Sequence, residues 1–218
     1  MPKIVLLPQS NGFDQELQAL GLSLTQLQEI GMRILAARQQ TTPHDAATAS
    51  GSYAYLAGVR AIRDIMVPNG WTPLTRNNLE LLENPAKSIH LLISSGDQNT
   101  GNEKISPKTR NKKGKQTKEI VQENQNQLSF WPVHINNHKP SNDKQASTWI
   151  FLHYFDETKN EMRVEISLPI NFNEFENNIA VWERRIILPS IKIDEPIISN
   201  EEEQYQDIEF DIRRKKNE

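Results

Sequence analysis

The sequence of 218 residues contains no cysteine. Disulfides, iron–sulfur clusters, cysteine-ligated zinc and a thiol nucleophile are thereby excluded. Apolar residues are also sparse, at 36% of the chain, with a mean hydropathy of −0.65. Both values are low for a compact enzyme, so a substantial part of the chain is expected in loops or a tail. No window approaches the roughly 18 to 20 apolar residues of a membrane span, and no periodic segment is a strongly basic amphipathic helix. The opening stretch Met1-Pro-Lys-Ile-Val-Leu-Leu-Pro8 has an apolar run too short for a signal peptide. The expectation is a cytoplasmic protein without membrane contact.

Several motifs that carry chemistry are missing too. Gly114-Lys115-Gln116-Thr117 superficially looks like the end of a P-loop. That motif requires an earlier glycine where Thr109 stands, and Ser or Thr directly after the lysine where Gln116 stands. No dinucleotide-binding fingerprint, zinc finger or RRM core is present. His134 and His138 are four apart, which on a helix would let both face a metal, but Lys139-Pro140 and the intervening Ile135-Asn136-Asn137 favour a loop. His90 and His153 fall in expected strands and read as sheet residues. No cofactor or metal is implied, and no motif assigns the chain to a known family.

Charge, in contrast, is gathered into blocks. Lys104, Lys108, Arg110, Lys112, Lys113, Lys115 and Lys118 lie together without an acidic residue among them. Taking those seven positives from a net charge of −3 leaves −10 on the rest of the chain, so the positive charge is placed and not diffuse. A second block, from Asp194 to Asp211, is acidic, and Arg213-Arg214-Lys215-Lys216 follows it. The acidic block could compete with an anionic ligand for the basic one.

Helical spacing of Leu24, Leu27, Ile30, Ile34 and Leu35, with Ser23 and Gln26 placed as a capping box, predicts a helix over Ser23 to Gln39. A second helix is expected over Asp45 to Met66, with Ala49, Tyr53, Leu56, Val59, Ile62, Ile65 and Met66 near one face. Its many small residues suggest close packing against a neighbour. Ser88 to Ser94 reads as a buried strand, and Thr117 to Gln127 as a short helix inside a long polar region. Thr148 to Phe155 and the alternating Glu161 to Leu168 form a strand pair joined by Asp156 to Asn160, and Ala180 to Leu188 adds a further strand.

Helices first and sheet later indicate an α+β fold: N-terminal helices packed on a mainly antiparallel sheet, with a long basic loop and a charged C-terminal tail. The expected organisation is one domain over residues 1–193, with a mobile loop at 97–147, followed by a tail at 194–218.

Ser95, Gly96, Asp97 and Thr100 lie just beyond the Ser88 to Ser94 strand, where a turn of this composition could meet an anion. The same residues would also make an ordinary polar turn closed by an Asx bond from Asp97. Asp97, Glu165 and Glu183 are strand-associated acids that a metal-dependent nuclease would need to bring together. Solvent-facing positions on half-buried strands explain them more simply.

Clustered cations neutralise phosphates, and the nearby Phe130 and Trp131 could stack on unpaired bases. The leading expectation is therefore an accessory or binding protein that contacts nucleic acid through Lys104, Lys108, Arg110, Lys112, Lys113, Lys115 and Lys118, aided by Phe130 and Trp131. Against it stands an overall pI near 6.0. The alternatives are metal-dependent phosphoryl or phosphodiester chemistry around Asp97 and Thr100, and a subunit of a protein assembly docking through its sheet, its small-residue helix or its charged blocks.

Overall fold

The computed structural model describes residues 4–129, 146–173 and 175–192. Phe130, Trp131, His134, His138 and the charged tail lie outside the described residues. Among those described, eight strands form one mixed sheet in the order β1-β7-β6-β5-β4-β3-β2, with β8 paired to β6. The strands are β1 (Ile4–Leu6), β2 (Thr72–Arg76), β3 (Leu79–Glu83), β4 (Ile89–Ser95), β5 (Ser147–Asp156), β6 (Glu161–Asn173), β7 (Asn178–Ile187) and β8 (Ile191–Lys192). The helices are α1 (Phe13–Ala19), α2 (Leu24–Gln39), α3 (Ala49–Met66) and α4 (Lys115–Ser129). The α+β class is as expected.

Antiparallel pairing dominates, but β4–β5 and β1–β7 are parallel. A parallel neighbour cannot be reached by a tight turn. The segment between β4 and β5 therefore crosses over one face of the sheet, and α4 lies on that path.

Both faces are covered. On one, Leu27, Ile30 and Ile34 of α2 and Ile62 and Met66 of α3 pack on Ile93, Phe151, Val164 and Ile166. On the other, Ile120 and Val121 of α4 join Leu92, Ile150, Leu152 and Trp182. Asn124 locks α4 down by polar contacts: its Nδ2 donates to the carbonyls of Thr148 (2.9 Å) and Pro169 (3.0 Å), and its Oδ1 accepts from the Thr148 amide (2.8 Å). A buried amide with its hydrogen bonds made fixes register as well as position.

The capping box of α2 is present, with the Ser23 hydroxyl accepting from the Gln26 amide and the Gln26 side chain from the Ser23 amide. The face assigned to α3 holds at Ala49, Ile62 and Met66, which are buried, and requires correction at two positions. Tyr53 and Leu56 are exposed, and Ala54, Gly58 and Ala61 are buried instead. The reason is close approach: a Cβ on Gly58 would lie 3.1 Å from Ile34 Cδ1 and from Ile93 Cδ1. At Gly58 a larger residue has no room.

The acid Glu165 also departs from its solvent-facing expectation. It is fully buried, as is Arg185, and the two form a bidentate pair with Arg185 Nε 3.0 Å from Glu165 Oε1. Glu165 accepts in addition from the Gly101 amide (2.9 Å) and the Ser167 hydroxyl (2.7 Å), while Arg185 donates to the Asn102 carbonyl (3.0 Å). The pair thus ties the loop after β4 to β6 and β7.

No helix among the described residues is long and apolar enough to cross a membrane.

Candidate functional site

The basic segment begins where β4 ends, and its path is fixed by backbone hydrogen bonds. The Asp97 amide donates to the Lys108 carbonyl and the Arg110 amide to that of Ser95, closing a loop whose base bridges Gly96 to Thr109. The Thr109 and Lys113 amides then donate to Ile179 and Asn177. Trp182 Nε1 donates to the Pro107 carbonyl at 2.8 Å. Gly96 is required here by space, since a Cβ would collide with the Thr100 hydroxyl.

This path disperses the seven cations. Lys108 pairs with Glu176 at 2.7 Å, Lys115 lies 3.9 Å from Glu119, and Lys118 sits over the Phe172 ring at 4.7 Å. Lys104 and Lys112 are exposed. Arg110 and Lys113 instead enter a cleft of about 510 Å³ at the carboxyl ends of β4 and β5.

Three further elements complete the cleft. The last turn of α2 contributes Arg38, whose guanidinium lies 5.1 Å from the Phe155 ring centre and contacts the Ser50 hydroxyl at 3.4 Å. The first turn of α3 forms another wall. It has no acidic residue, and Thr48 at its N-cap makes no side-chain capping bond. First-turn amides have no carbonyl within their helix to bond, and the helix dipole favours negative charge there. His153 of β5 lies beneath, 5% exposed, its Nε2 buried without a hydrogen-bond partner.

Among the described residues, no Asp or Glu lines this space. Arg38 has a carboxylate partner, Glu157 at 3.2 Å, but Glu157 is strongly exposed and stands outside the lining. Lys113 Nζ donates to the Ser94 hydroxyl at 2.7 Å, and among the described residues neither Lys113 nor Arg110 has a carboxylate partner. Burial pushes the Lys113 amine down to about 8. Burial, then the Arg38 and Lys113 cations, push His153 down to about 4, so its ring is neutral at physiological pH. Comparison with protein-family models, curated proteins and solved structures finds no match.

Of the expected ligand turn, Ser95 and Gly96 line the cleft, whereas Asp97 and Thr100 stand outside it. Asp97 accepts from the Asn99 amide at 3.0 Å, the Asx bond of an ordinary polar turn. Thr100 is fully buried beneath the loop. Among the described residues, no group of three or more His, Asp or Glu side chains is placed to hold a metal. Glu165 is committed to Arg185.

Arg38, Ser50, Gly51 and His153 join the site without having been singled out for it. Their positions are distant in sequence, and only the third dimension brings them together. His153 pairs with Ser95, the last residue of the parallel neighbour β4, three residues before β5 ends.

Proposed function

We propose that the protein binds nucleic acid, holding phosphate in the cleft formed by α2, α3 and the ends of β4 and β5. The observation that carries this reading is the meeting of Arg110 and Lys113 with Arg38 in a cleft that no carboxylate lines among the described residues. Lys113, desolvated and without a carboxylate partner, favours an anionic ligand, because the anion supplies the compensation that the protein withholds, and the exposed Arg110 adds charge at the same place. Lys112 and Lys115, which adjoin Lys113 in sequence, are exposed but do not line the cleft.

Binding of a fluorescein-labelled single-stranded oligonucleotide, followed by anisotropy across a salt series, tests this. Affinity should fall steeply with salt, and Arg110→Ala should reduce the magnitude of the log–log slope by about 0.7, the contribution of one phosphate contact on a single strand. Salt-independent binding, or an Arg110→Ala variant identical to the parent, contradicts it.

A further inference from the structure

The cleft offers more positive charge and more hydrogen-bond donors than an internal phosphate of a strand can use. A phosphodiester carries one negative charge and two free oxygens, and its chain must leave in two directions. A terminal phosphate monoester is close to a dianion at neutral pH and presents three free oxygens. It needs only one exit. The cleft supplies Arg38, Arg110 and Lys113, with the first turn of α3 as a wall and the bare Nε2 of His153 beneath. We infer that it is a monoester site, seating the terminal phosphate of a nucleic-acid strand against the start of α3, with Arg38, Arg110 and Lys113 around it.

Two independent observations meet here. One is the first turn of α3, an 18-residue helix with no acidic residue in that turn and no side-chain cap, where the Ala49 amide donates to the Ala46 carbonyl and the Ser50 and Gly51 amides are left for a ligand. The other is His153, 5% exposed with its Nε2 unpartnered. A neutral imidazole protonated at Nε2 can donate to an anionic oxygen, which would give this buried atom its missing partner. The volume of about 510 Å³ exceeds what a lone phosphate fills and suits a phosphate with its terminal nucleoside. Tyr55, Tyr154 and Phe155 in the lining provide apolar and aromatic surface for that nucleoside. The lowered amine of Lys113 is consistent with a site that awaits an anion.

The strand as carrier of the monoester rests on the nucleic-acid reading above; the monoester chemistry of the cleft does not. The test compares two 3′-labelled single strands of one sequence, with a 5′-phosphate or a 5′-hydroxyl, two 5′-labelled strands differing likewise at the 3′ end, and competition by a nucleoside monophosphate and by inorganic phosphate. A strand with a phosphorylated end should bind about tenfold or more tighter than its hydroxyl counterpart, the effect of a charge-assisted contact. Arg110→Ala, a change at an exposed side chain, and Lys113→Met should each shrink that preference. Equal, salt-sensitive binding of all the strands overturns the monoester site while leaving nucleic-acid binding intact. Binding of the nucleoside monophosphate or inorganic phosphate without any strand supports the monoester site and overturns the nucleic-acid reading. Binding of none, or a preference unchanged by both variants, overturns the inference.

Discussion

Replacing Lys113 by methionine should make the ligand-free protein more stable and its anion binding weaker. Burial lowers this amine from 10.5 to about 8, which corresponds to about 3 kcal/mol disfavouring the charged side chain in the fold at neutral pH. Methionine keeps an unbranched apolar stem and deletes the ammonium. The Ser94 hydroxyl loses its contact with Lys113 but retains one with the Ser95 carbonyl at 3.4 Å, so the lost hydrogen bond offsets only about 1 kcal/mol of the gain. A net stabilisation of about 2 kcal/mol follows at neutral pH.

The sign of the pH dependence is opposite to that of a salt-bridged lysine. The unfolded amine keeps its proton up to 10.5 and the folded one releases it near 8, so the parent gains stability as pH rises between those values. Lys113→Met has no such gain, and the gap between the two proteins should close. Arg38, Arg110, His153, Tyr55 and Tyr154 share the cleft, but His153 is already neutral throughout this range. Urea denaturation at about pH 7 and about pH 9.5, in phosphate-free buffer, measures both effects. A variant less stable than the parent near pH 7, or a gap that does not close, refutes the view of Lys113 as an uncompensated cation.

Other parts of the structure give equally definite expectations. Glu165→Gln leaves the buried Arg185 guanidinium without its counter-charge, and urea unfolding should show a loss of about 3–5 kcal/mol; a loss below about 1 kcal/mol would remove the pair from its anchoring role. Gly58→Ala places a methyl group 3.1 Å from Ile34 and Ile93. Overpacking should outweigh the roughly 1 kcal/mol gain in helix propensity, so thermal unfolding should show a lower midpoint, and a higher one would contradict the close approach of α3. Ser23→Ala removes the side-chain cap of α2 and should destabilise by about 1 kcal/mol in the same assay, with an unchanged midpoint counting against the capping box.

What could be read from the sequence was chiefly what depends on neighbours along the chain. The apolar stripe and capping box of α2, the β5–β6 pair and the core of α4 all rest on local periodicity, and each has a counterpart in the fold. The face of α3 was right at Ala49, Ile62 and Met66 and misplaced at Tyr53 and Leu56, because periodicity weighs large apolar residues whereas close helix approach selects Ala54, Gly58 and Ala61. The β2–β3 hairpin passed unnoticed, although its two-residue turn, Asn77-Asn78, has both residues at positive φ, the conformation that such hairpins require. Glu165 gives no local sign of burial; its partner Arg185 lies on the neighbouring strand β7.

The candidate site was legible only in part for the same reason. A basic run announces an anionic partner but not which of its members point together. Backbone hydrogen bonds to Ser95, Ile179 and Asn177 decide that, turning Arg110 and Lys113 into the cleft while Lys108 goes to Glu176 and Lys118 to Phe172. Arg38 and His153 reach the same place from α2 and β5. No spacing rule could have joined them.

Crystals soaked in tungstate, a tetrahedral dianion heavy enough to locate by anomalous scattering, would reveal most directly where the protein holds an anion. A peak is expected in the cleft, within hydrogen-bonding reach of Lys113 Nζ and the first-turn amides of α3. Peaks confined to exposed lysines such as Lys104 or Lys112, or no peak at all, would contradict the cleft as the anion site.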